Sequence, residues 1–317
     1  MSHARHVLEI RDRDTGAVAR ILTSLGFNCF SFEAAFGDER IEVIWAEAGF
    51  ERGGRRVSGS GIPLLFPFPG RIAGGTFTFR GRAFAIEPSD GRGHAIHGFA
   101  HTRPWRVLDH ERNRIVGEFH ASVDDPRLLA YWPADFRIRA EYALHGNRLN
   151  GVYSIDNPSD QPLPVGFGTH PYFRVPLGGE DGAECVVTLP VSEEYELDDL
   201  VPTGLRFRLR DADAFHEGIP FGEMQFDNVF GGLVFAEDGW CRTTISDPSS
   251  RRRVAMTFDR PFTTCVVYTP GHREAVCIEP LTCVPNAVRL DAAGIPSGLR
   301  VLEPGESLVA RVDIAVS

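Results

Sequence analysis

The chain has 317 residues, 43 % hydrophobic and 24 % charged, an ordinary soluble composition long enough to bury a sizeable core. Its formal net charge of -10 at pH 7 argues against a general nucleic-acid or anionic-membrane surface. Neither is expected as a partner, and the arginine groups at Arg52, Arg55 and Arg56 and at Arg251, Arg252 and Arg253 read as solvated loops or turns.

The opening Met1-Ser2-His3-Ala4-Arg5-His6-Val7-Leu8 reaches Glu9 before any long apolar stretch forms. No signal peptide or membrane span is therefore expected, and the chain reads as cytoplasmic. Short strand candidates follow at residues 30–34, 41–46, 84–87 and 115–119. Phe136, Ile138, Ala140, Tyr142 and Leu144 then alternate with polar or small residues, and after His145-Gly146-Asn147-Arg148 the alternation resumes at Leu149, Gly151, Tyr153 and Ile155. A period of two on both sides of a Gly-Asn turn predicts a hairpin. Further candidates lie at 186–189 and 266–268. The C-terminus alternates again at Leu308, Ala310, Val312, Ile314 and Val316.

The 33 glycines and 22 prolines punctuate the whole chain, and no long amphipathic helix stands out. Many short strands between frequent turns point to an all-β sandwich or barrel. Residues 157–162 (Asn-Pro-Ser-Asp-Gln-Pro) are the best boundary candidate, but the strands on either side look alike. The stretch therefore reads as a loop within one domain spanning 1–317. The six cysteines are scattered without a C-x-x-C pair, which argues against a zinc site or a dense disulfide frame.

Five segments carry candidate chemistry. Gly168-Thr169-His170-Pro171-Tyr172-Phe173 presents an imidazole braced by a proline and two aromatics; its ordinary alternative is a histidine bonded to nearby backbone. Glu279 ends the apolar run Val276-Cys277-Ile278 and is stopped by Pro280, so it is either paired in the core or facing a site. Histidine and glutamate together can give one proton and take another. Pro67-Phe68-Pro69-Gly70-Arg71-Ile72 forms a rigid loop presenting Arg71, whose guanidinium fork suits sugar hydroxyls or a carboxylate; a surface salt bridge is the alternative. His94, His97 and His101 would make a metal face only on a helix, and Gly91, Gly93, Gly98 and Pro104 argue against one. A loop offering His97 to a polar ligand fits better. Asp227, within Phe226-Asp227-Asn228-Val229-Phe230, suits a sugar flanked by ring faces, or an Asx turn. There is no G-x-S-x-G elbow, P-loop or H-E-x-x-H, and no cofactor is expected.

In this order the motifs resemble the aldose 1-epimerase family, also called galactose mutarotases. The likeness runs from about Leu8 to the end, through Pro-Phe-Pro-Gly-Arg-Ile, His-Gly-Phe-Ala with Trp105, Gly-Thr-His-Pro-Tyr-Phe, Phe-Asp-Asn-Val-Phe, and Ile-Glu-Pro-Leu-Thr with Pro285-Asn286-Ala287. It implies a large antiparallel β-sandwich with an open sugar cleft, no cofactor, Glu279 as general base and His170 as general acid. It also implies that Arg71, His97 and Asp227 hold sugar hydroxyls. Gly70 departs from the pattern, since many members carry asparagine before the arginine. The expected activity is interconversion of the α and β anomers of a hexose, by a monomer or homodimer. The alternatives are a hexose-phosphate 1-epimerase using Arg52, Arg55, Arg56, Arg82 or Arg92, a non-catalytic sugar-binding module, and a purely structural sandwich.

Overall fold

The computed structural model describes residues 7–53 and 56–317; Met1 to His6, Gly54 and Arg55 lie outside the described residues. Two large antiparallel sheets organise them. The first has nine strands in the order Arg106–His110, Arg114–His120, Arg137–His145, Arg148–Asp156, Ser307–Val316, Arg252–Asp259, Trp240–Asp247, Val186–Thr188 and Ile219–Pro220. The second runs Val201–Arg208, Glu193–Asp198, Asp227–Gly231, Thr264–Tyr268, Ala275–Leu281, Gly168–Thr169 and Leu64–Leu65, and Tyr172–Arg174 pairs with Ala275–Leu281 beside that path. A four-stranded sheet, Val7–Arg11 to Glu39–Glu42, precedes them in the chain. Among the described residues the helices are short, six residues at most, and none is long and apolar enough to cross a membrane.

The alternation in the sequence explains the layering. In Arg137–His145 the side chains of Ile138, Ala140 and Tyr142 are buried, while Arg139 on the other face pairs with Glu118 at 2.6 Å. The hairpin to Arg148–Asp156 closes with His145 opposite Arg148, as the Gly-Asn turn predicts. Buried residues of both large sheets join one apolar cluster, with Ile138, Tyr153 and Ile314 from the first and Phe230, Val267 and Ile278 from the second. Aromatic contacts lock the layers, among them Tyr153 on Phe167 at 4.8 Å and Phe66 edge-on to Phe136 at 5.0 Å. All six cysteines are buried.

The expected strand at 41–46 is shorter than the sequence suggests. Pairing ends at Glu42, and Ile44 makes only a single bridge to Phe173. The Glu42 carboxylate explains this, because it accepts the backbone N–H groups of Phe32 and Ile44 and so replaces ladder partners. Likewise the candidate at 84–87 is displaced to Arg82–Ala85, and Ile86 donates its N–H to Gly75 instead.

Candidate active site

The register of the second sheet builds the site. Asp227 lies opposite Tyr268, Tyr268 opposite Cys277, and Cys277 opposite Tyr172, so these four form one cross-strand row. Two residues along, Val229, Val266 and Glu279 form the next row on the same face. The intervening Val267 and Ile278, with Phe230 on the far side of Val229, point the other way, into the core. Strand parity therefore turns Glu279 away from the core on a strand, Ala275–Leu281, whose residues are all buried.

His170 is carried in by the short strand Gly168–Thr169, which pairs with Leu281, and by its own N–H donating to the Pro63 carbonyl at 3.0 Å. Its Nε2 lies 3.2 Å from Glu279 Oε1, and both side chains are almost completely buried. Tyr172 stacks on the imidazole at 4.7 Å with an interplanar angle of 6° and donates its hydroxyl to the Ser58 carbonyl at 3.0 Å. Arg71 and His97 arrive together because Arg71 pairs with Ile96 across a two-residue ladder. His97 adopts a positive φ of 66°, donates its N–H to the Gly70 carbonyl at 2.8 Å, and lies edge-on to His170 at 5.6 Å.

These residues surround a cavity of about 480 Å³ whose wall includes Arg71, His97, His170, Asp227 and Glu279. The structure thus gathers all five site residues expected from the sequence. It adds others that composition and spacing did not mark: Trp45, Tyr268, His272, Leu197 and Leu200 also line the wall. Trp45 stacks on His272 at 4.1 Å. Among the phosphate candidates, Arg56 lines the cavity and forms no ion pair with a described residue. Arg92 is tied to Asp199 at 2.8 Å, and Arg82 lies over the Phe84 ring at 4.7 Å, outside the cavity wall.

Burial sets the electrostatics. It pushes the Glu279 carboxyl well above the usual carboxylate range; nearby Asp227 adds to the rise and Arg71 opposes it. It lowers the His170 imidazole to about 3, with Arg56 and His101 contributing, and lowers His97 well below its ordinary value. Enclosure also raises Asp227, against the opposing pull of Arg71, Arg92 and Arg56. Glu279 and His170 are both biased towards their neutral forms, so the pair together holds one proton and no net charge.

Residues 51–315 match the family model described as aldose 1-epimerase. The chain belongs to the aldose 1-epimerase family. It is 24 % identical to YihR of Escherichia coli over 229 residues, 71 % of this chain and 70 % of that protein. It is 23 % identical to YphB of the same organism over 274 residues, 84 % and 87 % respectively; both are uncharacterized proteins. Among solved structures, a galactose mutarotase-like protein from Clostridium acetobutylicum superposes with a TM-score of 0.86 at 22 % identity, covering 99 % of this chain and 98 % of that one. An aldose epimerase homologue from C. elegans superposes at 0.81 and 19 % identity, covering 99 % of each. The fold of this epimerase-family chain is accordingly the antiparallel galactose mutarotase-like sandwich.

Proposed function

We propose that the protein is an aldose 1-epimerase acting on a free hexose, with Glu279 as base and His170 as acid. The observation that carries this reading is the meeting of the two side chains, 3.2 Å apart in the wall of a sugar-sized cavity. The pair's single proton first passes from Glu279 Oε1 to His170 Nε2 across their 3.2 Å contact, and Glu279 then takes the proton of the C1 hydroxyl while His170 gives its own to the ring oxygen. The C1–O5 bond breaks, the C1–C2 bond rotates, and closure returns the other anomer with the proton roles reversed. The pair already holds the single proton that this exchange moves, so no proton need enter from water during the opening step. Arg71, His97 and Asp227 orient the hydroxyls, which keeps C1 and O5 within reach of their partners. One apolar cluster containing residues from Ile10 to Val316 supports reading the chain as a single domain.

The test is anomer exchange followed by saturation-transfer NMR over a panel of free hexoses and hexose phosphates. Glu279→Gln and His170→Asn should each lower exchange by roughly 10²–10⁴-fold while sugar binding persists. Near wild-type rates in both variants would remove the acid–base assignment. Since the two residues supply both proton transfers, exchange should survive exhaustive chelation. A hexose-phosphate substrate is the second reading. What favours it is Arg56 in the cavity wall, with no ion-pair partner among the described residues. A purely binding role gives no account of the buried Glu279–His170 pair, which is costly to desolvate.

A further inference from the structure

The hairpin formed by Glu193–Asp198 and Val201–Arg208 turns through only two residues, Asp199 and Leu200. Both have left-handed backbones, with φ of 47° and 64°. A two-residue turn with positive φ at both positions favours Asn-Gly or Asp-Gly, because a branched side chain crowds the backbone there. Asp199 obeys that preference and Leu200 breaks it.

The core does not explain the exception. Leu197 packs against the cluster of Tyr195, Val229, Val284 and Leu290, whereas Leu200 belongs to none of the apolar clusters among the described residues. Its side chain lines the catalytic cavity instead. The tip is also held in place. Asp199 accepts from Arg92 Nη1 at 2.8 Å and contacts His94 Nε2 at 3.3 Å. The backbone N–H groups of Arg92 and His94 are in turn bonded to Asp90, the carboxylate that also holds Arg71. Backbone strain persists where its surroundings over-determine it, and it gathers at ligand clamps.

We propose that Leu200 is a specificity-determining residue, the apolar cover that packs against the C–H face of the bound pyranose. This rests on the sugar reading above. A pyranose presents C–H groups on its faces and hydroxyls at its rim. An aliphatic side chain over one face favours the epimer that shows it only C–H groups. It disfavours the epimer whose axial hydroxyl would be buried there without a partner.

The experiment compares wild type, Leu200→Gly and Leu200→Asn by glucose and galactose affinity (titration calorimetry), by anomer exchange and by thermal melting. Both replacements suit a left-handed backbone and remove the cover. Expected are about a tenfold loss of affinity for the preferred hexose, a narrowed glucose/galactose preference, and an unchanged or higher Tm for Leu200→Gly. Unchanged affinities and preference would overturn the proposal, and a fall in Tm alongside them would mark Leu200 as a packing residue. A wild type that binds hexose without exchanging anomers overturns the reaction alone, and the affinities still decide the role of Leu200. A wild type that binds no hexose overturns both.

Discussion

Asp90 holds Arg71 from behind the cavity wall. Arg71 Nε donates to Asp90 Oδ2 at 2.9 Å, and the other carboxylate oxygen accepts the backbone N–H groups of Arg92 at 2.8 Å and His94 at 2.9 Å. The Asp90 side chain is fully buried and is not part of the cavity wall. Its effect on catalysis would be exerted through the direction of the Arg71 fork.

Asp90→Asn keeps the shape but removes the charge that fixes the guanidinium. KM for the sugar should rise about tenfold, the scale of a lost charge-assisted hydrogen bond, while kcat changes little. Burial pushes the Asp90 carboxyl up, but the His94 and Arg92 amides and Arg71 outweigh it and hold it at about 2. A depressed carboxylate contributes stability that is complete above its unfolded value near 3.9 and is lost as pH falls towards 2. The substitution should therefore flatten the wild-type loss of stability below about pH 4, measured by thermal melts across pH. A fall in kcat with KM unchanged would contradict the positioning role.

Under the proposed mechanism the Glu279–His170 pair sets the pH profile. Burial opposes both the doubly protonated, cationic pair and the fully deprotonated, anionic pair. The acid limb of kcat/KM should therefore move down from the ordinary imidazole range, and the alkaline limb should move up from the ordinary carboxylate range. The expected result is a broad plateau with no inflection near about 6.5, where a free imidazole titrates. The directions at the two residues agree with this, His170 lowered to about 3 and Glu279 raised well above its usual value. An exchange-rate profile from acid to alkaline pH showing a single break between about 6 and 7 would contradict a shared-proton pair.

Much of this site was legible in the chain because its parts lie in short rigid motifs. His170 follows directly on Gly168–Thr169, and Arg71 and His97 sit on or beside strands of two residues, where a proline or glycine next door betrays a fixed backbone. Glu279 was visible as the one charge in an apolar run, although the run hides its parity: both faces of Ala275–Leu281 are buried, so no alternation shows which face meets the cavity. Trp45, Tyr268 and His272 carried no such signal, since aromatics and exposed histidines are common and their place depends on cross-strand register. Asp90 carried no signal either, because its bond to Arg71 spans 19 residues. Leu200 is recognisable only from its backbone angle.

Arg56 separates free sugars from phosphosugars better than the other arginines. Arg92→Ala would release the hairpin tip at Asp199, and Arg82→Ala would disturb only the face of Phe84. Under the free-hexose reading, Arg56→Ala should leave exchange of glucose or galactose within a few-fold of wild type. Its rate should also depend weakly on ionic strength, because no charged partner crosses the cleft. A selective loss of hexose-phosphate turnover in Arg56→Ala, together with a wild-type rate that falls steeply with salt, would replace the free hexose by its phosphate ester.

Gly70 is explained by Pro285. Gly70 has φ of 62°, and a Cβ there would lie 2.5 Å from Pro285 Cβ and 2.6 Å from its Cγ. Its carbonyl also accepts the His97 N–H at 2.8 Å, so a shift of this turn moves a residue of the cavity wall. Asparagine tolerates the left-handed backbone, which leaves the clash with the proline ring as the obstacle. Gly70→Asn should cost about 1–3 kcal/mol of stability, the scale of an overpacked contact, and raise KM through displacement of His97. Pro285→Gly removes both the Cβ and the Cγ that the introduced side chain would strike and should recover part of both losses. The double variant should then be more stable than the sum of the single changes implies, a coupling of roughly 0.5–3 kcal/mol in denaturant melts. Strict additivity would mean that backbone conformation, and not the proline ring, keeps glycine at this position.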